Sequence, residues 1–178
     1  MELYLYYNCL IYVNSLRKEI VKHMQKILPK ELADEIMQNK TAMYRVAYSI
    51  TNNDADAQDA VGDAIVKAFE HLYQIKKKKS VKAWLMQIVV NSAKNIVKKQ
   101  SRLMLVESEM EIIENSEVFE MDTMWPVIME LPEKSREVVV LYYYEQFTTK
   151  EISKMLAISE GTVKSRLSRS REKLIKLL

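Results

Sequence analysis

Apolar residues recur at steps of three and four along the first part of the chain, the spacing of one face of a helix. The first predicted helix begins near Pro29–Glu31, because proline suits a first helical turn. It ends at residues 51–54, a turn-forming cluster that can also cap the following helix. The positions expected to face its core are Met43, Val46, Ala47 and Ile50.

Two more helices are predicted before residue 103. One runs from about 55 to 73, and its acidic residues lie mainly off the apolar stripe, so they are expected to face solvent. The other runs from 81 to about 100, with Ser80 as a possible cap and a lysine loop at 76–79 before it. The two apolar stripes are Ala57, Ala60, Val61, Ala64, Ile65, Ala68, Phe69 and Leu72, and Trp84, Leu85, Ile88, Val89, Ala93, Ile96 and Val97.

The second half of the chain predicts a separate helical unit. Like charges and low hydrophobicity at 103–124 predict a linker. Four helices follow it, at about 126–130, 133–145, 148–156 and 160–177. The predicted fold class is therefore all-α, with two small helical domains joined by an acidic linker. The expected boundaries are an N-terminal extension at 1–30, a first domain at 31–102, the linker at 103–124 and a second domain at 125–178.

The last two predicted helices have the features of a helix-turn-helix. Thr148 or Thr149 can cap the first of them, with Glu151 completing a capping box. Residues 157–159 form the turn, and Ser159 can cap the second helix. Basic residues on that helix suit the major groove of DNA, where lysine and arginine neutralise phosphates and arginine can recognise guanine. The residues expected on its exposed faces are Glu160, Gly161, Thr162, Lys164, Ser165, Arg166, Ser168, Arg169 and Arg171.

Composition excludes several classes of protein. Only 2 glycines and 3 prolines occur, which disfavours turn-rich β folds, and no G-x-G pair is available for a phosphate-binding loop. One cysteine and two widely separated histidines provide no disulfide, metal site or catalytic pair, so neither a cofactor nor an enzymatic activity is expected. No apolar run reaches the about 18–20 residues that span a membrane, and a cytoplasmic location is expected.

Charge is unevenly distributed, although the net charge is only +3. Residues 53–75 carry five acids and one base, whereas residues 76–102 carry nine bases and no acid. Residues 103–133 carry nine acids and no base, and residues 160–178 have a net charge of +4. Adjacent acidic and basic surfaces predict two different kinds of partner, unless these runs are merely solvated helix faces.

These motifs together resemble a known family. Leu131–Val138, Glu151-Ile152 and Gly161–Leu167 resemble region 4 of bacterial sigma factors of the extracytoplasmic-function (ECF) group. Tyr44–Tyr48 and Asp54–Val61 are similar to region 2, as is Ala83-Trp84-Leu85 followed by Asn91. The match covers residues 31–178 in family order, so the two domains are expected to be a region 2 helical bundle and a region 4 helix-turn-helix.

The resemblance implies a promoter-specificity factor that binds core RNA polymerase and promoter DNA, and that an anti-sigma factor holds inactive. Polymerase contact is implied for Asp56, Gln58, Asp59 and Asp63. Melting and capture of the −10 element are implied for Lys82, Trp84, Gln87, Asn91, Lys94, Asn95 and Lys98. Recognition of the −35 element is implied for Glu160, Gly161, Thr162, Lys164, Ser165, Arg166, Arg169 and Arg171.

The chain departs from the family pattern at two positions, and some alternatives stay open. Gly62 stands where the family usually has glutamine, and Ala157 replaces the usual turn glycine. Trp84 is either a core anchor or a stacking platform. Residues 1–30 match nothing in the family; they are an extra helix or interaction arm, unless translation begins at Met24.

Two rival functions remain at the level of sequence. A duplex-DNA regulator that does not bind polymerase explains the helix-turn-helix but leaves the acidic helix and the 84–91 segment without a role. A helical protein-interaction module would bind DNA only weakly and without salt dependence. Association with core polymerase distinguishes both from a sigma factor.

Overall fold

The computed structural model describes residues 27–75, 81–103 and 123–177. These residues form seven α-helices and no β-strand: α1 Pro29–Thr51, α2 Asp54–Glu70, α3 Val81–Leu103, α4 Trp125–Met129, α5 Glu133–Val139, α6 Thr149–Leu156 and α7 Glu160–Leu177. A 3₁₀ turn, Leu72–Gln74, follows α2, and a π-helical segment, Val140–Tyr144, follows α5. The lysine loop, Ser80, the linker at 104–122 and residues 1–26 lie outside the described residues.

Local side-chain caps set the boundary between α1 and α2, as predicted. Asn52 ends α1 in the left-handed conformation, with φ of 53°, which asparagine tolerates better than most residues. Asn53 then caps α2, because its side-chain oxygen accepts a hydrogen bond from the Asp56 N–H at 3.0 Å. The chain therefore reverses within two residues and places α2 alongside α1.

The first three helices pack together around a core of small and medium-sized side chains. Ala57, Ala60, Ala64 and Ala68 on α2 are fully buried, so this helix lies close to both of its neighbours. Phe69 was expected on the same buried face, but this prediction is wrong: the side chain is 42% exposed. Burial on α3 is broader than its predicted stripe, since Met86 and Val90 are also buried.

The remaining four helices form the second unit, in which α7 packs on α5 and α6. The predicted helix at 133–145 is not uniformly α-helical. Its second part is π-helical, and the Glu145 N–H donates to the Val140 carbonyl at 3.1 Å. This wider turn changes the rotational position of Glu145 relative to a continuous α-helix.

The two units also pack against each other. Helix α5 and the π segment contact α1, and α6 contacts α3. Apolar residues from both units belong to one buried cluster that includes Ile50, Val90, Val138 and Ile152. The sequence pattern predicts the two units but not this contact between them.

Candidate nucleic-acid interface

Helices α6 and α7 form the predicted helix-turn-helix. The Glu151 N–H donates to Thr148 Oγ1 at 3.3 Å, and the Thr148 N–H donates to the Glu151 carboxylate at 2.9 Å, which completes a capping box. Hydrogen bonds from the Thr148 hydroxyl and N–H hold the pKa of Glu151 below its usual range. The two residues lie only three positions apart, so the sequence pattern alone predicts this contact.

The turn between α6 and α7 contains a strained residue. Ala157 lies in the left-handed region, with φ of 53°, a conformation that costs an L-residue about 1–2 kcal/mol. The Ser153 hydroxyl closes the turn by donating to the Ile158 carbonyl at 2.6 Å. Ser159 caps α7 by accepting from the Thr162 N–H at 3.0 Å, as predicted. Helix α7 therefore has a fixed start.

The solvent-facing side of α7 carries most of the residues predicted to contact DNA. Val163 and Leu167 are buried and fix the rotation of the helix. Gly161, Lys164, Ser165, Arg169 and Arg171 are exposed, while Glu160 and Thr162 are half-buried. Glu160 accepts a hydrogen bond from Thr149 at 2.7 Å and pairs with Lys164 at 3.1 Å, and both contacts lower the pKa of its carboxyl.

Arg166 differs from the other basic residues of this helix. Its side chain is only 17% exposed and pairs with the buried carboxylate of Glu137 at 3.0 Å. It also donates to the Lys134 carbonyl at 3.2 Å. The expectation that Arg166 lies on an exposed face is therefore wrong, because the ion pair holds the guanidinium against α5.

Helix α3 carries a row of exposed amide and basic groups. Gln87, Asn91, Asn95 and Lys98 are all exposed at near four-residue steps, so they share one face. Asn95 and Lys98, with two further basic residues, Lys99 and Arg102, line a shallow depression at the end of the helix. Amide and cationic groups in this arrangement can hold bases and phosphates of a nucleic-acid strand.

The other predicted residues of α3 are less accessible. Trp84 is half-buried against the core, which favours the core-anchor alternative. Lys94 lies 2.9 Å from the Glu137 carboxylate, and Lys82 lies 3.3 Å from that of Glu145. Both cations therefore pair with acids of the second unit, while 40% of the Lys82 side chain and 37% of the Lys94 side chain stay exposed.

Helix α2 presents the acidic face that the sequence predicts. Gln58, Asp59 and Asp63 are exposed, and Asp56 is half-buried and accepts a hydrogen bond from Gln100 at 2.6 Å. The hydrogen bond from Lys67, at 2.5 Å, holds the pKa of Asp63 below its usual range. This face can bind a basic or amide-rich partner surface.

Three apolar side chains lie on α2 and just after it, and all are exposed. Val66, Phe69 and Tyr73 are 58%, 42% and 67% exposed. Val66 and Phe69 lie three residues apart on one face of α2, and Tyr73 belongs to the 3₁₀ turn that follows it. A methyl group added to Gly62 would meet nothing within 4 Å, and its φ is not positive, so the fold does not require glycine there. The apolar spacing predicts a core position for Phe69 and gives no signal at Val66 or Tyr73.

The contacts between the two units depend on residues that sequence analysis missed. Glu137, Glu145 and Arg136 are buried polar residues of the second unit, and Arg45 of α1 pairs with Glu145 at 2.9 Å. No sequence pattern marks them, since a glutamate in an amphipathic helix is usually exposed.

In the described parts of the chain, no group of three or more histidine, cysteine, aspartate or glutamate side chains could hold a metal ion. The helices of those parts are also too short or too polar to cross a membrane.

Comparison with known proteins gives a consistent result for both units. The family model for Sigma-70 region 2 matches residues 35–103, and that for Sigma-70, region 4 matches residues 126–174. The chain is 28% identical over 138 residues to the RNA polymerase sigma factor SigV of Bacillus subtilis, covering 76% of this chain and 83% of SigV. It is 25% identical over 179 residues to the ECF RNA polymerase sigma factor SigW of the same organism, covering 90% and 96% of the two chains.

A solved structure supports the same assignment. The sigma factor RpoE of Bartonella quintana, in complex with the anti-sigma factor NepR, superposes with a TM-score of 0.69 and 25% identity. The superposition covers 83% of this chain and 96% of RpoE.

Proposed function

Because the chain belongs to the extracytoplasmic-function group of the sigma-70 family and is a promoter-specific transcription initiation factor, we propose a task for each of its three functional helices. Helix α2 binds core RNA polymerase, α3 melts and holds the −10 element, and α7 recognises the −35 element. The protein works by binding rather than catalysis. It acts in the cytoplasm, where core polymerase transcribes DNA.

The observation that carries this proposal is the separation of charge between helices. The exposed groups of α2 are mainly acidic, whereas α3 and α7 expose amide and basic groups. An acidic face repels DNA, so α2 is suited to a protein partner. The basic faces attract phosphates, which makes their binding salt-dependent.

Separate residues serve the two DNA elements in this proposal. On α3, exposed amides hold unpaired bases and the lysines neutralise phosphates. On α7, the exposed hydroxyl and basic groups lie in the major groove. The residues concerned are Lys82, Gln87, Asn91, Lys94, Asn95 and Lys98 on α3, and Glu160, Gly161, Thr162, Lys164, Ser165, Arg169 and Arg171 on α7, while Trp84 supports the α3 surface from the core.

A regulatory partner is also proposed. RpoE of Bartonella quintana is similar to this chain over 96% of its length and binds an anti-sigma factor. We propose that an anti-sigma factor binds this protein as well and prevents its association with polymerase.

The role of α2 is tested by Asp59→Asn, which removes one exposed charge. We expect binding to purified core RNA polymerase to weaken about tenfold, as for loss of one charged interface contact. Asp34→Asn is the matched control, since Asp34 is an exposed acid on α1 outside the proposed interface. Equal affinities for the two variants, measured by fluorescence anisotropy of labelled protein, would contradict the assignment of α2.

A further inference from the structure

Exposed apolar side chains are concentrated at one end of the first unit. The described ranges expose eight large apolar side chains, and five of them belong to the first part of α1, with its N-cap, or to the last part of α2 and the turn after it. Because the chain reverses within two residues between these helices, the start of α1 lies beside the end of α2. Leu28 and Met37 come from α1 and its N-cap, and we call the other three, Val66, Phe69 and Tyr73, the apolar end patch.

The apolar end patch is bordered by acids. Single exposed apolar residues are ordinary, but a group of them commonly marks a surface that another segment or protein covers. Asp63 and Glu70 are exposed and lie three residues before and four residues after Val66, so they share its face of α2. A segment that fits this surface is therefore apolar in one part and basic in another.

A segment with this composition precedes α1 in the sequence. Residues 3–13 contain ten apolar residues, one polar residue, Asn8, and no charged residue. Residues 17–26 contain four basic residues and one acid. The segment lies outside the described residues and joins them at Ile27, which is buried directly before α1. The chain therefore enters the fold at the same end of the first unit as the apolar end patch.

Residues 14–26 are long enough to connect Ile27 with a segment bound at the patch. These thirteen residues can span up to about 45 Å when extended, whereas the 17 residues of α2 extend over about 25 Å. A short tether gives the attached segment an effective concentration on the order of millimolar at its binding surface. Contacts that are too weak to hold two separate molecules together are consequently populated within one chain.

We propose that residues 3–13 bind the apolar end patch of the same chain, with the basic residues of 17–26 beside Asp63 and Glu70. The occupant is this segment rather than a second copy of the protein, because the tether avoids most of the translational and rotational entropy lost when two molecules associate. The binding surface is independent of the partner proposed for α2.

The test uses Cys9, the only cysteine of the chain, which belongs to residues 3–13. Alkylation of the full chain by iodoacetamide, followed by mass spectrometry, measures the accessibility of its thiol. The same chain unfolded in guanidinium chloride gives the rate for an accessible thiol. We expect the folded protein to react at least about tenfold more slowly, because a covered thiol reacts only while the segment is detached.

Val66→Ser and Phe69→Ser each remove a large apolar side chain from the patch. Each should speed alkylation of Cys9 about fivefold, because the loss of an apolar contact raises the detached fraction. Ile175→Ser is the matched control, since Ile175 is 73% exposed on α7, and it should leave the rate unchanged. Val66 is the more exposed of the two patch residues, so the test remains available if Phe69→Ser fails to fold by circular dichroism.

A folded wild-type chain that reacts as fast as the unfolded chain would overturn the proposal. Rates that neither patch substitution alters would overturn it as well, because the segment would then be covered elsewhere. Protection that falls on tenfold dilution would show that a second copy covers the patch and would refute binding within one chain. Alkylation is measured without polymerase, so this result is independent of the Asp59→Asn experiment.

Discussion

Arg166 and Arg169 lie three residues apart on α7, yet they differ in exposure and in the contacts that they make. Arg166 is mostly buried and pairs with Glu137 and the Lys134 carbonyl. Arg169 is exposed, and its hydrogen bonds go to Ser165 of its own helix, at 3.3 Å to the carbonyl. We expect Arg166→Ala to destabilise the fold and Arg169→Ala to weaken DNA binding with little loss of stability.

The expected loss in the free energy of unfolding depends on which charges keep a partner after each substitution. Removing one partner of a buried ion pair costs about 3–5 kcal/mol when the other charge is left alone. Glu137 would keep Lys94 at 2.9 Å, so we expect a smaller loss, about 2 kcal/mol, for Arg166→Ala. Arg169→Ala removes only exposed contacts and should change the free energy of unfolding by less than about 0.5 kcal/mol.

Urea unfolding followed by tryptophan fluorescence measures the free energy of unfolding. Anisotropy with a labelled random-sequence duplex at several salt concentrations measures DNA contact. Arg169→Ala should lower the slope of log affinity against log salt by about one, as for loss of one phosphate contact. Equal unfolding free energies for the two variants would refute the structural role of Arg166. An unchanged salt slope for Arg169→Ala would refute its contact with phosphate.

Two further predictions concern the helix-turn-helix scaffold. Ala157→Gly should raise the free energy of unfolding by about 0.5–1 kcal/mol in thermal unfolding, because glycine relieves the left-handed strain but gains entropy in the unfolded chain. The control Ala55→Gly, at an exposed helical position, should lower it, and a loss of stability in Ala157→Gly would contradict the strain. Thr148→Ala should cost about 1 kcal/mol through loss of the α6 cap. Because the folded pKa of Glu151 is depressed, the stability from its hydrogen bonds is complete above the ordinary glutamate pKa and is lost as the pH falls through the depressed value. Thr148→Ala should therefore show a smaller loss between neutral and acidic pH, and identical pH profiles for variant and wild type would count against the capping box.

Features controlled by neighbouring residues were predictable from the sequence. The start of α1 at Pro29, the Asn53 cap and the Thr148–Glu151 capping box were all confirmed, because each depends on groups within a few residues of one another. Helical periodicity likewise placed the buried alanines of α2 and the exposed acids beside them. The family assignment rested on these same local motifs in their order along the chain.

Contacts between distant segments were decided only by the tertiary structure. Phe69 has the spacing of a core residue, but the buried face of α2 is centred on its alanines and the Phe69 side chain is 42% exposed. Arg166 has the spacing of a DNA contact, but packing of α7 on α5 places it against Glu137. Glu145 and Arg45 are 100 residues apart, and no local pattern encodes their pairing. The sequence by itself determined the helices, their caps and the charge of each face. The packing of the helices decided which charges remain available to partners, because a charge is neutralised by whatever group the fold brings within a few ångströms of it.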